Sequence, residues 1–261
     1  MKGKVYLVGA GPGNPELLTI KAATLLAAAD VVLHDGLVAP AILKLAPARA
    51  HVHNIGKRCG KKRISQEEIN FLMVELASLG MKVVRLKSGD PLIFGRLVEE
   101  TEALRKAGVD FEIVPGVTSA FGAAASIQIP LTSRRASPAL VLLTGHRASG
   151  NEEADWQKFV SSGATLAIYM PGHHYSEIAA RLRRAGAAAE TPCAIVSRAT
   201  TRDQQTFVTS VAALHDAPQL PSPTLLVVGE VIRLSAAFES QFPHIVLNQP
   251  VQLAASEERG A

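Results

Sequence analysis

Short apolar runs rich in β-branched residues recur along this chain, and helix-like sequence follows most of them. Five such runs, VYLVGA (5–10), DVVLH (30–34), HVHNI (51–55), KVVRL (82–86) and FEIV (111–114), lie in the first half. Short, continuous and Gly- or Asp-bounded, they read as buried strands of a parallel sheet. Asn14 caps a predicted helix that has Pro15 and Glu16 in its first turn. Ser65-Gln66-Glu67-Glu68 opens another with the spacing of a capping box, Ser65 to Glu68. Strand followed by helix, repeated, is the signature of βαβ units.

The rhythm breaks at PLTSRRASPA (130–139) and restarts with ALVLLTG (139–145), TLAIYM (165–170), CAIVS (193–197), QTFVTS (205–210) and TLLVVGEVI (224–232). The runs at 193–197 and 205–210 leave no room for a crossover helix, so they are expected to pair antiparallel and make the second sheet mixed. The 261 residues then divide into an N-terminal α/β domain (1–134) with a parallel sheet and a C-terminal α/β domain (135–246) with a mixed one. A cleft is expected between them. The polar stretch 247–261 is expected to be a loose tail.

Composition closes off several alternatives. With 48% hydrophobic residues the chain can build an ordinary core, which excludes disorder over most of its length. Cys59 and Cys193 are too few and too far apart for a disulfide framework or a cysteine zinc site. His51 and His53 alternate on one strand face without a clear metal shell, so no metal is expected. No window approaches the ~18 uncharged apolar residues of a spanning helix. The opening MKGKVYLVGAGPG reads as a first strand rather than a signal peptide. The expectation is a cytoplasmic protein without a membrane partner.

Gly9-Ala10-Gly11-Pro12-Gly13, after the first strand, resembles a dinucleotide-binding turn but fails in detail. The position three residues after the second glycine is Asn14, where the fingerprint needs glycine. Pro12 also lacks the N–H that would face a pyrophosphate. The turn suits close backbone approach to a ligand without phosphate. Charge is uneven as well: residues 1–134 carry 17 Lys/Arg and 12 Asp/Glu, or +5, and residues 135–261 carry 10 and 11, or −1. Lys57, Arg58, Lys61, Lys62 and Arg63 crowd one loop. Such a cluster is either a solvated loop or a grip for an anionic partner.

The densest block is Arg85-Leu86-Lys87-Ser88-Gly89-Asp90-Pro91-Leu92-Ile93-Phe94-Gly95-Arg96, followed by Leu97-Val98-Glu99-Glu100. It runs off a strand, turns at Ser-Gly-Asp-Pro and enters a helix after Gly95, the place where open α/β sheets put ligands. Taken singly, Asp90 is a turn residue and Arg96 a partner for Glu99 or Glu100 one helical turn on. Neither role explains an apolar Ile-Phe pair held between a carboxylate and a guanidinium at the cleft.

These residues resemble the tetrapyrrole methylases, and within them the members that methylate uroporphyrinogen III. The matching pieces are VGAGPGNPELLT (8–19), VVLHDGLV (31–38), IGKRCGKK (55–62), RLKSGDPLIFGR (85–96), VPGVTSA (114–120), PLTSR (130–134), TGH (144–146), Tyr169-Met170 and the stretch from Pro223 to Val231. Colinear matches span roughly 4–234. The resemblance implies homodimers with S-adenosyl-L-methionine in the interdomain cleft and S-adenosyl-L-homocysteine as product. It implies two methyl transfers to uroporphyrinogen III, at carbons 2 and 7, through precorrin-1 to precorrin-2, on the routes to siroheme, cobalamin and heme d1.

Carried over by position, the cofactor would meet Pro12, Ser88, Gly89, Asp90, Ile93, Phe94, Thr118, Ser119, Met170, Ala199, Pro223 and Thr224. Met170 alone would pass as a core gap-filler; its place after Tyr169 promotes it. Carbon methylation must shed a proton, and the resemblance points to Arg96 with Glu99 nearby. Arginine stays protonated at a pKa above ~12, so Arg96 suits carboxylate anchoring or charge stabilisation better than proton removal. The acceptor's eight carboxylates call for bidentate arginines. Arg58, Lys61, Arg134 and Arg135 are the candidate contacts, and His34 and Asp35 flank the cleft. Some relatives have glycine for Ser88, arginine for Gly36 and Gly-Gly for Leu97-Val98. The alternatives are a later precorrin methylase of the same fold, an RNA ribose methyltransferase, disfavoured because aromatic residues are scarce near the basic loop, and a non-enzymatic dinucleotide or tetrapyrrole carrier. Nucleic acid is not an expected partner.

Overall fold

The computed structural model describes residues 3–56, 64–145 and 155–235. The five runs of the first half are β1 (Lys4–Gly9), β2 (Val31–His34), β3 (His51–Asn54), β4 (Lys82–Lys87) and β5 (Asp110–Val114). They form one all-parallel sheet in the order β3-β2-β4-β1-β5. Successive side chains leave a strand on opposite faces. Val84 and Leu86 therefore pack toward α1 (Ile20–Ala27) and α2 (Pro40–Leu43), in a cluster with Leu26 and Ile42. Val83 packs on the other face with Met73 of α3 (Gln66–Ser78) and Leu104 of α4 (Leu97–Lys106). Arg85 and Lys87 share the parity of Val83, so two cations of a central strand enter the α3/α4 layer.

The second half forms β6 (Leu140–Thr144), β7 (Thr165–Tyr169), β8 (Pro192–Ser197), β9 (Gln205–Ser210) and β10 (Thr224–Val228), ordered β6-β7-β10-β8-β9. β6 and β7 are parallel and every other pairing is antiparallel, including β8 with β9. The two sheets, one parallel and one mixed, are the α/β architecture expected. α6 (Trp156–Ser161) and α7 (Tyr175–Arg184) cover one face through Trp156, Ile178 and Leu182. The other face is covered by α5 (Ser119–Ser126), whose Ala120, Ala123 and Ala124 pack on Ala167, Ala194 and Val227. α5 follows β5 in the chain yet lies on the second sheet, and this carries the chain across the cleft.

Two local expectations are corrected. The helix capped by Asn14 is a single 3-10 turn, Pro15–Leu17, with Asn14 Oδ1 accepting from Glu16 N; α1 starts at Ile20 under its own cap, Thr19. Leu18 is extended between them, so the two turns cannot fuse. The run 224–232 is a strand only to Val228, because Gly229 at φ 147 turns the chain into a 3-10 segment, Glu230–Leu234. The Ser65 capping box forms as expected, with Glu68 N donating to Ser65 Oγ at 3.1 Å and Ser65 N to Glu68 Oε2 at 2.6 Å. Among the described residues no helix is long and apolar enough to cross a membrane. The basic loop at 57–63 and the tail at 247–261 lie outside the described residues.

Candidate active site

Three turns leave the carboxyl ends of β1, β4 and β5 and converge. Gly11 and Gly89 exchange backbone hydrogen bonds, Gly11 N to Gly89 O at 3.1 Å and Gly89 N to Gly11 O at 2.8 Å. Both are in the left-handed region, at φ 73 and 69. Gly116 packs so closely that a Cβ there would lie 2.4 Å from Gly89 O. Pro12 is pressed on α5, where a Cβ at Gly122 would come within 2.6 Å of its Cγ. Beyond it, Asn14 N donates to Thr200 Oγ1 across the cleft at 3.0 Å. The glycine-proline turn thus serves as a close-packed junction between the two sheets.

A cavity of about 580 Å³ opens at this junction, within the ~300–1,000 Å³ usual for small-molecule sites. All twelve residues that the resemblance assigned to the cofactor line it, as do Arg96, Asp35, Arg85, Lys87 and Tyr169. The GDP turn is organised by Asp90, whose Oδ1 accepts from Leu92 N at 2.8 Å and Oδ2 from Gly116 N at 3.3 Å. The turn role and the cavity-lining role therefore coincide in one carboxylate. Phe94 and Arg96 then take left-handed backbone at φ 50 and 53, as does Met170 opposite them at φ 51. Such strain in non-glycine residues concentrates at functional sites. Gly95 between them is obligatory: a Cβ would fall 2.5 Å from Pro91 O and 3.1 Å from Lys87 Cε.

The second sheet supplies the far wall. Phe94 meets Tyr169 edge to face, ring centroids 5.1 Å apart. Thr118, the residue before α5, makes no capping bond to that helix through its side chain. Tyr169 of β7 substitutes, its hydroxyl accepting from Ala120 N at 3.2 Å and sharing a 2.6 Å bond with Thr118 Oγ1. Burial raises the Tyr169 phenol above its ordinary range, against those two hydrogen bonds, so it stays a neutral donor-acceptor. Phe94 and Met170 remain 44% and 50% exposed, leaving large apolar groups uncovered at the cavity wall.

Charges line the wall on the first-sheet side. Asp35, just beyond β2, accepts from Arg85 Nη2 at 2.7 Å through Oδ1 and from Ser88 N at 3.3 Å through Oδ2. Arg85 Nε donates to Glu100 Oε1 at 2.9 Å, and Lys87 Nζ to Glu100 Oε2 at 2.8 Å. Arg85, Lys87 and Glu100 are all buried. Burial, then the neighbouring Arg85 cation, holds the Lys87 ammonium below the usual lysine range, with Glu100 opposing both. The Ser88 hydroxyl is buried without a hydrogen-bond partner beside this cluster.

The remaining candidates are placed differently. Arg96 is exposed in position to face the cavity, and makes no ion pair with Glu99 or Glu100 among the described residues. Glu100 is committed to Arg85 and Lys87 instead, and that is why the i to i+4 pairing expected from sequence does not form. Glu99 is exposed on α4 and is not among the cavity residues; its carbonyl accepts from Asn70. Arg134 and Arg135 sit exposed on the turn closed by the Ser133–Ser137 bridge, also outside the cavity lining. Arg58 and Lys61 lie outside the described residues. Arg85, Lys87, Glu100 and Tyr169 belong to the site although no motif role singles them out. One signal was available: two cations spaced by two in a strand buried on both faces demand an anion.

A glycine-turn junction, a GDP loop and a cavity with apolar and charged walls between a parallel and a mixed sheet define a class, and the chain belongs to it: the tetrapyrrole (corrin/porphyrin) methylases, whose family model matches residues 4–215. Among similar proteins, siroheme synthase 1 of Yersinia enterocolitica is 46% identical over 234 residues, covering 89% of this chain and 50% of that protein. The siroheme synthase of Azotobacter vinelandii is 46% identical over 235 residues, covering 89% and 51%. The chain spans about half the length of these curated relatives. Of solved structures, the uroporphyrin-III C-methyl transferase of Thermus thermophilus complexed with S-adenyl homocysteine superposes with a TM-score of 0.78 at 38% identity, covering 89% of this chain and all of that one. A cobalt precorrin-4 methyltransferase from cobalamin biosynthesis reaches the same TM-score at 30% identity, covering 88% and 95%.

Proposed function

We propose that this chain is an S-adenosylmethionine-dependent C-methyltransferase that converts uroporphyrinogen III to precorrin-2 by methylating carbons 2 and 7. The single observation that carries this is the cavity: every position assigned to the methyl donor, scattered from Pro12 to Thr224, lines one volume. Its chemistry fits that donor. Pro12 offers no N–H to a phosphate, the turn shaped by Asp90 presents backbone groups, and Ile93, Phe94, Met170 and Pro223 form an apolar wall for an aromatic base. The cofactor when bound supplies an electrophilic methyl group on a sulfonium centre.

The chain's own work is positioning, water exclusion and proton removal. Among the described residues two carboxylates line the cavity at its charged side. Asp90 is spent on Leu92 and Gly116. Asp35 keeps 32% of its side chain exposed, and among the described residues its Oδ2 has only the long 3.3 Å bond from Ser88 N, so Asp35 is assigned the ring proton. Arg96, always cationic and exposed beside the cavity, anchors a substrate carboxylate, with Arg134, Arg135 and the basic loop as outer contacts of the polyanion. The division into two domains at 134/135, read from the break in rhythm at 130–139, belongs to the same proposal, as do the cytoplasmic setting and the homodimer that the family resemblance implies.

The test is to count methyl groups delivered from labelled S-adenosylmethionine to uroporphyrinogen III under anaerobic conditions. Two per acceptor, yielding precorrin-2, is expected. One or none, or methylation only of an already methylated precorrin, overturns the assignment in favour of a later enzyme of the same fold.

A further inference from the structure

One fully buried carboxylate has no part in the chemistry above. Glu100 lies in the first turn of α4 with 0% exposure, and each oxygen is taken by a cation of β4, Oε1 by Arg85 Nε and Oε2 by Lys87 Nζ. Burying such a group is a poor way to stabilise a fold, because desolvation offsets most of the attraction. Apolar packing would hold α4 as well. What the cluster does achieve is direction. Arg85 is gripped at Nε by Glu100, and its Nη1 donates to the carbonyls of Leu33 and Leu86 at 3.4 and 3.3 Å. The guanidinium plane is thereby set, and its remaining nitrogen, Nη2, meets Asp35 Oδ1 at 2.7 Å.

We infer that Glu100 is a positioning residue for proton removal: acting through Arg85, it fixes the orientation and the electrostatic setting of the Asp35 carboxylate at the cavity. This rests on the reading of Asp35 as proton acceptor given above. Asp35 feels Arg85 and Lys87 from β4, Glu100 from α4, Asp90 and Arg96 across the same cavity, and His34 next to it, whose Nδ1 bonds Asp35 O at 2.9 Å. The four groups Asp35, Arg85, Glu100 and Lys87 carry balanced charge. Glu100 offsets the charge of Arg85, the cation that orients Asp35. Lys87 in turn balances Glu100.

The experiment compares Glu100→Gln, Lys87→Met and the double variant with the wild type. It reads kcat and its pH profile on uroporphyrinogen III, S-adenosylhomocysteine affinity by calorimetry, and the Asp35 carboxyl titration by carbon-13 NMR. The isosteric Glu100→Gln keeps an acceptor for Arg85 Nε but turns an amide NH₂ toward Lys87 and removes one negative charge. Expected is a loss of about ten- to hundred-fold in kcat, the scale of a mis-set reacting group, with S-adenosylhomocysteine affinity unchanged. The Asp35 titration and the acid limb of kcat both move to lower pH. Adding Lys87→Met restores the charge balance and returns both most of the way. Unchanged kcat and titration in Glu100→Gln overturn the inference. So does a loss of kcat that persists in the double variant while Asp35 titrates as in wild type, since that describes a packing defect. Should Glu100→Gln not fold, the double variant must show Asp35 titrating below its position in Lys87→Met alone; equal titrations overturn the inference. A wild type that does not methylate uroporphyrinogen III sinks the functional reading instead, and the NMR titration still reads the coupling between Glu100 and Asp35.

Discussion

The Asp90 turn allows a graded test of the cofactor site. Its carboxylate accepts two backbone hydrogen bonds, one inside the turn from Leu92 N at 2.8 Å and one from Gly116 N at 3.3 Å, which ties the GDP turn to the loop after β5. A hydrogen bond to a charged acceptor is worth about 1.5–3 kcal/mol when buried. The Leu92 bond is exposed and water replaces much of it; the Gly116 bond is half-buried but long. The pair together is therefore worth about 1–3 kcal/mol toward holding the turn in its ligand-ready shape, or about 5- to 150-fold in affinity. Asp90→Asn retains an acceptor for Leu92 and places an NH₂ opposite Gly116 N–H, whereas Asp90→Ala loses both. Calorimetric titration with S-adenosylhomocysteine should rank wild type above Asn above Ala, with Ala weakened by that full range and thermal melts showing all three folded. An Asp90→Ala protein that binds S-adenosylhomocysteine as tightly as wild type refutes both the placement and the turn argument.

Two further outcomes concern stability. Tyr169→Phe strips Ala120 N and the buried Thr118 hydroxyl of a partner, so urea unfolding should show a loss of about 1–3 kcal/mol; a midpoint equal to wild type would mean water caps α5 just as well. Glu112 receives Lys21 and Lys4, and those hydrogen bonds, Lys21 first, hold its carboxyl down to about 2 from an ordinary 4.5. A carboxylate lowered on folding stabilises above its unfolded pKa, and that contribution is lost as pH falls toward 2. The urea midpoint of wild type should thus fall more steeply from pH 4.5 downward than that of Glu112→Gln, and parallel curves would show that the cluster is screened by solvent.

Much of this protein is legible in its sequence, because the relevant physics is local. The strand runs identify themselves by β-branched residues and length, the Ser65 box by a three-residue spacing, and the β8–β9 pairing by a loop too short for anything else. The GDP block announced a turn at a strand end, and its left-handed Phe94 and Arg96 lie where that block placed a ligand. Where local signals competed, the reading failed: Asn14 and Thr19 both look like caps, and only the extended Leu18 between them shows that they cap different turns.

Tertiary structure alone decided the rest, since neither 3.6- nor 2-residue periodicity carries information about partners far along the chain. Sequence order assigns α5 to β5, but its small alanine face fits the second sheet, and that choice builds the cleft. Tyr169 caps a helix some 50 residues earlier, and Arg85 reaches Asp35 at the same separation, |i−j| of 49 and 50. Glu100 was visible as a plausible neighbour of Arg96, four residues away on one helix. Burial chose Arg85 and Lys87 instead, because two cations sealed inside a central strand must be neutralised there, whereas Arg96 at the surface has water.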